Sequence, residues 1–180
     1  MPMALLGVAE ISRLVRESRL VENLSERELT SPEGTGFDLR LGEVYKLKGD
    51  AFLGVEERNT PDSELVAAHG RETSYTLKPG EYILCKTLER VNLPKDVSMY
   101  AMARSTLYRS GVLFLGTQAA PGYSGPLVFG LKNLGESAVK LEMGARVFHV
   151  HFHRASGEGS PYRGQWVEGR MSTGGVERQV

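Results

Sequence analysis

Arg104, Ser105 and Arg109 place two guanidinium groups and a hydroxyl in one short stretch, beside backbone that is about to turn. Forked cations next to free backbone N–H groups suit a polyanion such as a triphosphate. Two surface arginines near a strand end carry the same letters, so spacing alone leaves both readings open. The surrounding stretch, 103–133 (ARSTLYRSGVLFLGTQAAPGYSGPLVFGLKN), continues with an apolar strand, a glycine-proline hairpin and a second apolar strand. Further on, His149, His151 and His153 alternate through HVHFH, so their side chains leave one face of a strand. Period-two imidazoles can bind zinc or copper. Packing or hydrogen bonding at a subunit interface uses the same spacing, and no supporting carboxylate is identifiable. Cys85, in YILCKTL, reads as a small core residue rather than a nucleophile.

Composition limits what such residues can serve. The chain has 180 residues, with 22 Lys and Arg against 22 Asp and Glu. That balance gives no overall field to favour nucleic acid or an acidic membrane, so any anion site must be local. The single cysteine excludes an internal disulfide and a cysteine-rich zinc site, and suits a reducing cytoplasm. The start, MPMALLGVAEISRLVRES, is too short and too charged for a signal peptide or a membrane span. A soluble cytoplasmic protein is expected.

The elements that must position these residues are mostly strands. Ala9–Ser18 puts Ile11, Leu14 and Val15 at helical spacing and predicts one short amphipathic helix. Glu22–Gly34 is polar and reads as loop. From Phe37 onward short apolar segments are separated by Gly49-Asp50, Lys78-Pro79-Gly80, Pro94-Lys95-Asp96, Pro121-Gly122, Gly135-Glu136 and Met143-Gly144. Close strand spacing without βαβ alternation predicts an all-β chain, a barrel or distorted jelly roll. Asp50–Arg71 reads as a polar insertion, a long loop or hairpin. The expected division is a helix and loop over 1–30, a β-barrel over 31–156 and a mobile tail over 157–180.

In this order the segments resemble the dUTPase and dCTP deaminase superfamily, from about Ser31 to Gly169. Thr35–Gly42 (TGFDLRLG) is similar to its first motif, and Arg104–Gly111 (RSTLYRSG) to its second. Ala120–Gly125 (APGYSG) falls on the third, a hairpin holding pyrimidine and deoxyribose, and Gly144–Val147 (GARV) on the fourth. Pro161–Trp166 (PYRGQW) resembles a C-terminal segment that closes over bound nucleotide. The resemblance implies a homotrimeric β-barrel acting on pyrimidine deoxynucleoside triphosphates. Magnesium would be held mainly by the substrate's phosphates. It implies substrate contacts from Arg104, Ser105, Thr106, Arg109, Thr117, Ala120, Tyr123, Arg146, Tyr162, Arg163 and Trp166. Pro121-Gly122 supplies the hairpin shape, and Tyr123 is either a face beneath deoxyribose or an ordinary packed aromatic. Asp38 is either a water or metal-shell partner or a turn residue.

Three positions depart from the pattern. The aspartate that activates water in dUTPases is Ala120 here, and a methyl group cannot accept a proton. The deaminase glutamate, three residues before the asparagine matching Asn133, is Gly130. The glutamine usual in the fourth motif is His149. Gly130 is ordinary for a dUTPase, and PYRGQW is closer to archaeal-type dUTPases than to bacterial deaminases. The expectation is a dUTP diphosphatase-like protein, with dCTP deamination and catalytically inactive nucleotide binding as alternatives. Asp38 and Gln118 are the remaining candidates for placing a water.

Overall fold

The structure is a computed structural model that describes residues 4–116, 118–156 and 160–179. In chain order the elements are β1 (Ala4–Leu5), α1 (Val8–Ser18), β2 (Val21–Glu22), α2 (Glu26–Thr30), β3 (Gly36–Lys48), β4 (Phe52–Leu53) and β5 (Glu57–Asn59). Then come β6 (Asp62–Ala68), β7 (Ser74–Leu77), β8 (Tyr82–Asn92), β9 (Val97–Ala103), α3 (Ser105–Arg109) and β10 (Val112–Leu115). The chain ends with β11 (Ser124–Asn133), β12 (Val139–Glu142), β13 (Arg146–Arg154) and β14 (Glu177–Arg178). Among the described residues, nine strands form one curled antiparallel sheet, a half-barrel with the path β1-β13-β3-β8-β11-β10. On its sides β2 pairs β8, β6 pairs β3 and β9 pairs β13. The all-β expectation holds.

Alternation explains the sheet. In β8, Ile83, Cys85, Thr87, Glu89 and Val91 point inward while the residues between them are only half-buried. In β13 Phe148, Val150 and Phe152 enter the core, and His149, His151 and His153 leave by the opposite face. The core joins these to Phe37, Leu39 and Leu41 of β3 and Phe129 and Leu131 of β11. Helix α1 covers one side through Ile11 and Leu14 and ends at Arg19, whose φ of 53° stops the helix.

A segment read as loop, and one read as a long loop or hairpin, both carry structure. Within Glu22–Gly34, Ser25 caps α2 by accepting from the Glu28 N–H at 3.4 Å, and the Glu28 side chain is buried. The helix is a single turn in a polar stretch, too brief to show apolar periodicity. Within Asp50–Arg71, β6 extends the main sheet beside β3, and β4 and β5 form a hairpin joined by β14. Residues 160–179, part of the expected mobile tail, lie across this insertion. Thr60 and Thr173 exchange N–H to Oγ1 bonds of 3.0 and 2.9 Å, and Arg58 and Arg170 each pair with Glu177 at 2.8 Å.

Candidate functional site

Asp38 is the hub of the charged residues. It is 6% exposed, on the face of β3 turned away from the apolar core. Its Oδ1 lies 2.9 Å from His149 Nδ1, and its Oδ2 lies 2.9 Å from Arg146 Nη1 and 3.1 Å from Arg104 Nε. The β3–β13 register sets His149 opposite Asp38, while β9 on the other edge of β13 delivers Arg104 just past Ala103. Burial pushes the Asp38 carboxyl up, but the His149 hydrogen bond and the charges of Arg104 and Arg146 outweigh it and hold it below 3.8. Because a carboxylate only accepts, His149 Nδ1 carries the hydrogen in this pair.

That depressed pKa has a measurable sign. The unfolded carboxyl titrates at about 3.9, so the stability from Asp38 is complete above that pH and is lost as pH falls through the lower folded value. Thermal melts of wild type between pH 5 and pH 2.5 should fall more steeply than those of Asp38→Asn. Parallel curves would mean that Asp38 carries no such coupling.

The hairpin is built as the sequence implies. The Ala120 carbonyl accepts from Tyr123 N–H at 3.1 Å across Pro121-Gly122, and Gly122 has φ of 80°, the form of a type II turn. Met99 and Ala119 exchange backbone bonds of 3.0 and 2.9 Å, tying the hairpin's approach to β9. The Tyr123 ring is buried edge-on against Tyr162, centroids 5.3 Å apart, and its hydroxyl donates to the Pro126 carbonyl at 2.7 Å. Burial pushes the Tyr123 phenol up to about 12. Tyr162 N–H donates to the Pro121 carbonyl at 2.7 Å, so the C-terminal segment already lies on the hairpin. Gln118, Tyr123, Tyr162 and Trp166 line one cavity of about 490 Å³, with Phe114, Phe129 and Phe148 among its walls. Trp166 packs beneath two cations, Arg58 at 4.7 Å and Arg170 at 5.7 Å.

The remaining candidates make no ion pair with Asp38. Ser105, Thr106 and Arg109 are exposed on α3, with the Arg109 guanidinium 6.0 Å from the Tyr108 ring; Arg163 is exposed as well. Thr117 lies outside the described residues. Gly130 sits beneath Tyr82, whose hydroxyl would be 2.5 Å from a Cβ at that position. His149 and His151 stack edge-on with centroids 4.8 Å apart, and His153 packs on Tyr100 at 5.2 Å. No group of three or more His, Cys, Asp or Glu among the described residues is arranged to hold a metal ion. No helix among them is long and apolar enough to cross a membrane. Cys85 is buried, and burial pushes its thiol far up, as expected of a core residue.

Phe148 and His149 are neighbours on opposite faces of β13. Phe148 lines the cavity and His149 meets Asp38. Within one chain the cationic cluster and the cavity therefore lie on opposite sides of the same sheet. One residue of the cluster was missed by sequence reasoning. Glu28 Oε2 accepts from the Asp38 N–H at 3.0 Å, and Oε1 pairs with Arg27 and lies 4.0 Å from Arg146 Nη1. The Ser25-x-x-Glu28 spacing, a helix-start signature, was the available signal.

Comparisons with known proteins bear on the family and the fold. A family model described as dCTP deaminase-like matches residues 5–155. The chain is 33% identical over 153 residues to the dCTP deaminase of Pyrococcus furiosus, covering 84% of this chain and 86% of that one. It is 33% identical over 141 residues to a probable deoxyuridine 5'-triphosphate nucleotidohydrolase of Methanothermobacter thermautotrophicus, covering 78% and 89%. Among solved structures, the 2'-deoxycytidine 5'-triphosphate deaminase of Agrobacterium tumefaciens superposes with a TM-score of 0.64 at 17% identity. It covers 86% of this chain but only 49% of that longer one, and shows the shared fold. Family model, relatives and fold converge: the chain belongs to the dCTP deaminase-like family.

Proposed function

We propose that this chain binds pyrimidine deoxynucleoside triphosphates and hydrolyses dUTP to dUMP and pyrophosphate, as a homotrimer with sites shared between subunits. The observation that carries this reading is the pair of guanidinium groups, Arg104 and Arg146, held on one buried carboxylate with their outer edges in solvent. Such a pair, with Ser105, Thr106 and Arg109 on the adjoining turn, offers a fixed positive surface to phosphate oxygens. The cavity under Tyr162 and Trp166 has the size and apolar walls to take a base and sugar. Because cluster and cavity sit on opposite faces, a neighbouring subunit supplies what one chain lacks. Light scattering that finds a stable monomer at micromolar concentration would overturn the shared site.

Asp38 is engaged by two guanidinium groups and the His149 ring, so the chain's own residues suit a magnesium ion held by substrate phosphates rather than by protein ligands. Bound there, the ion would neutralise phosphate charge. Gly130 beneath Tyr82 supports dUTP over dCTP, since the site has no carboxylate at this position to move protons to an amino group. Ala120 supports a second reading, binding without turnover, because no carboxylate stands at the hairpin. Turnover and binding assays with dUTP, dCTP and dTTP, each with magnesium, separate hydrolysis, deamination and binding alone. Arg109→Ala should weaken nucleotide binding by about 1.5–3 kcal/mol, the scale of a charge-assisted hydrogen bond. Unchanged affinity by calorimetry, with the fold intact, would return Arg109 to an ordinary surface residue.

A further inference from the structure

We propose that Glu28 is a positioning residue for the anion-binding cluster, acting through Asp38. Its side chain is wholly buried, and it comes from α2 rather than from any strand of the sheet. One oxygen takes the Asp38 N–H at 3.0 Å and fixes the backbone from which the Asp38 carboxylate is aimed. The other pairs with Arg27 and lies 4.0 Å from the same Arg146 Nη1 that Asp38 holds at 2.9 Å. Arg27, Arg104 and Arg146 thus face Glu28 and Asp38, and Arg27 also pairs with the exposed Glu33 at 3.1 Å. Glu28 removes charge from an anion site, which by itself weakens anion binding. It also holds that site in shape, which strengthens binding by removing the cost of ordering two arginine side chains. These two effects respond oppositely to substitution, and that makes the role testable.

Glu28→Gln keeps an oxygen for the Asp38 N–H and deletes the charge. Glu28→Ala deletes both, and Glu28→Asp keeps the charge but shortens the reach by one methylene. The first readout needs no ligand: the His149 Nδ1–H proton in imidazole NMR, assigned by its loss in His149→Gln. It exchanges slowly only while Asp38 is aimed at the ring. The signal should persist in Glu28→Gln and disappear in Glu28→Ala and Glu28→Asp; the aspartate variant decides if the alanine variant does not fold. The second readout is binding of tripolyphosphate and of dUTP with magnesium, and it rests on the reading of Arg104 and Arg146 given above. Affinity should be at or above wild type in Glu28→Gln and roughly tenfold weaker in the other two. A retained imidazole signal and retained affinity in folded Glu28→Ala or Glu28→Asp, with only a lower Tm, would reduce Glu28 to a fold residue and overturn the proposal. Tighter binding in Glu28→Ala would overturn it too, leaving only a charge. If wild type binds neither probe the nucleotide reading fails, while the imidazole signal still decides the role of Glu28.

Discussion

Ala120→Asp should raise dUTP hydrolysis by roughly 10²–10⁴-fold, the usual contribution of a positioned general base. Position 120 opens the Pro121-Gly122 turn, where aspartate before proline favours turn initiation, and its carbonyl already makes the turn's closing bond to Tyr123 at 3.1 Å. The residue is only half-buried, so a carboxylate there keeps access to solvent and need not be desolvated. The same substitution should leave dCTP untouched, because Gly130 still lies under Tyr82 without an acid. Steady-state pyrophosphate release from each nucleotide is the measurement. If wild type already turns over at an enzyme's ordinary rate and Ala120→Asp adds nothing, the water is activated elsewhere, and Asp38 is the next residue to change. If neither chain turns over yet both bind tightly, binding without chemistry is the function.

Gly36→Ala should cost about 3 kcal/mol or more, a large part of an ordinary domain's 5–15 kcal/mol. A Cβ at this position would stand 1.8 Å from the Val150 carbonyl oxygen and 2.6 Å from His149 Nε2. The first collision is with backbone, so no rotamer change relieves it. Strand β3 would have to leave β13 where Gly36 faces His151, two residues before Asp38. Melting temperature should drop by about 6–12 °C or more, and the His149–Asp38 pair should loosen with it. Gly7→Ala is the comparison, since a Cβ there meets nothing within 4 Å, its φ is −78°, and the only cost is that of alanine at the N-cap of α1, about 1 kcal/mol. Equal melting temperatures for the two variants would show that the start of β3 yields freely.

What the sequence made legible was whatever depends on near neighbours. The alternation in β8, the spacing of Ile11 and Leu14 in α1, and the Pro121-Gly122 turn are each written within a few residues and appear as expected. The Asp38 cluster is another matter. Its partners lie 108 and 111 residues away at Arg146 and His149, joined only by the register of β3 on β13. A shift of one residue would turn them to the core, and the letters alone do not state that register. Glu28 was hidden by its polar neighbours, because a one-turn helix has no period to detect. The segment 160–179 looked solvated because its anchors, Thr60 and Arg58, belong to a polar insertion with little periodicity of its own.

The placing of Phe148 and His149 back to back in β13 bears on heredity as well as on chemistry. If each working centre joins the cavity of one subunit to the cationic face of another, two defective chains can repair one another. A chain carrying Arg104→Ala and a chain carrying Trp166→Ala, mixed equally, would yield intact pairings at about a quarter of the junctions in a ring of three. Neither parent alone would yield any. Dilution would act in the same direction, since a centre made by association dissolves with it, and specific activity should fall as chain concentration drops. Alleles of such a gene would then be scored by face, with lesions on one side of β13 complementing those on the other and failing to complement their own.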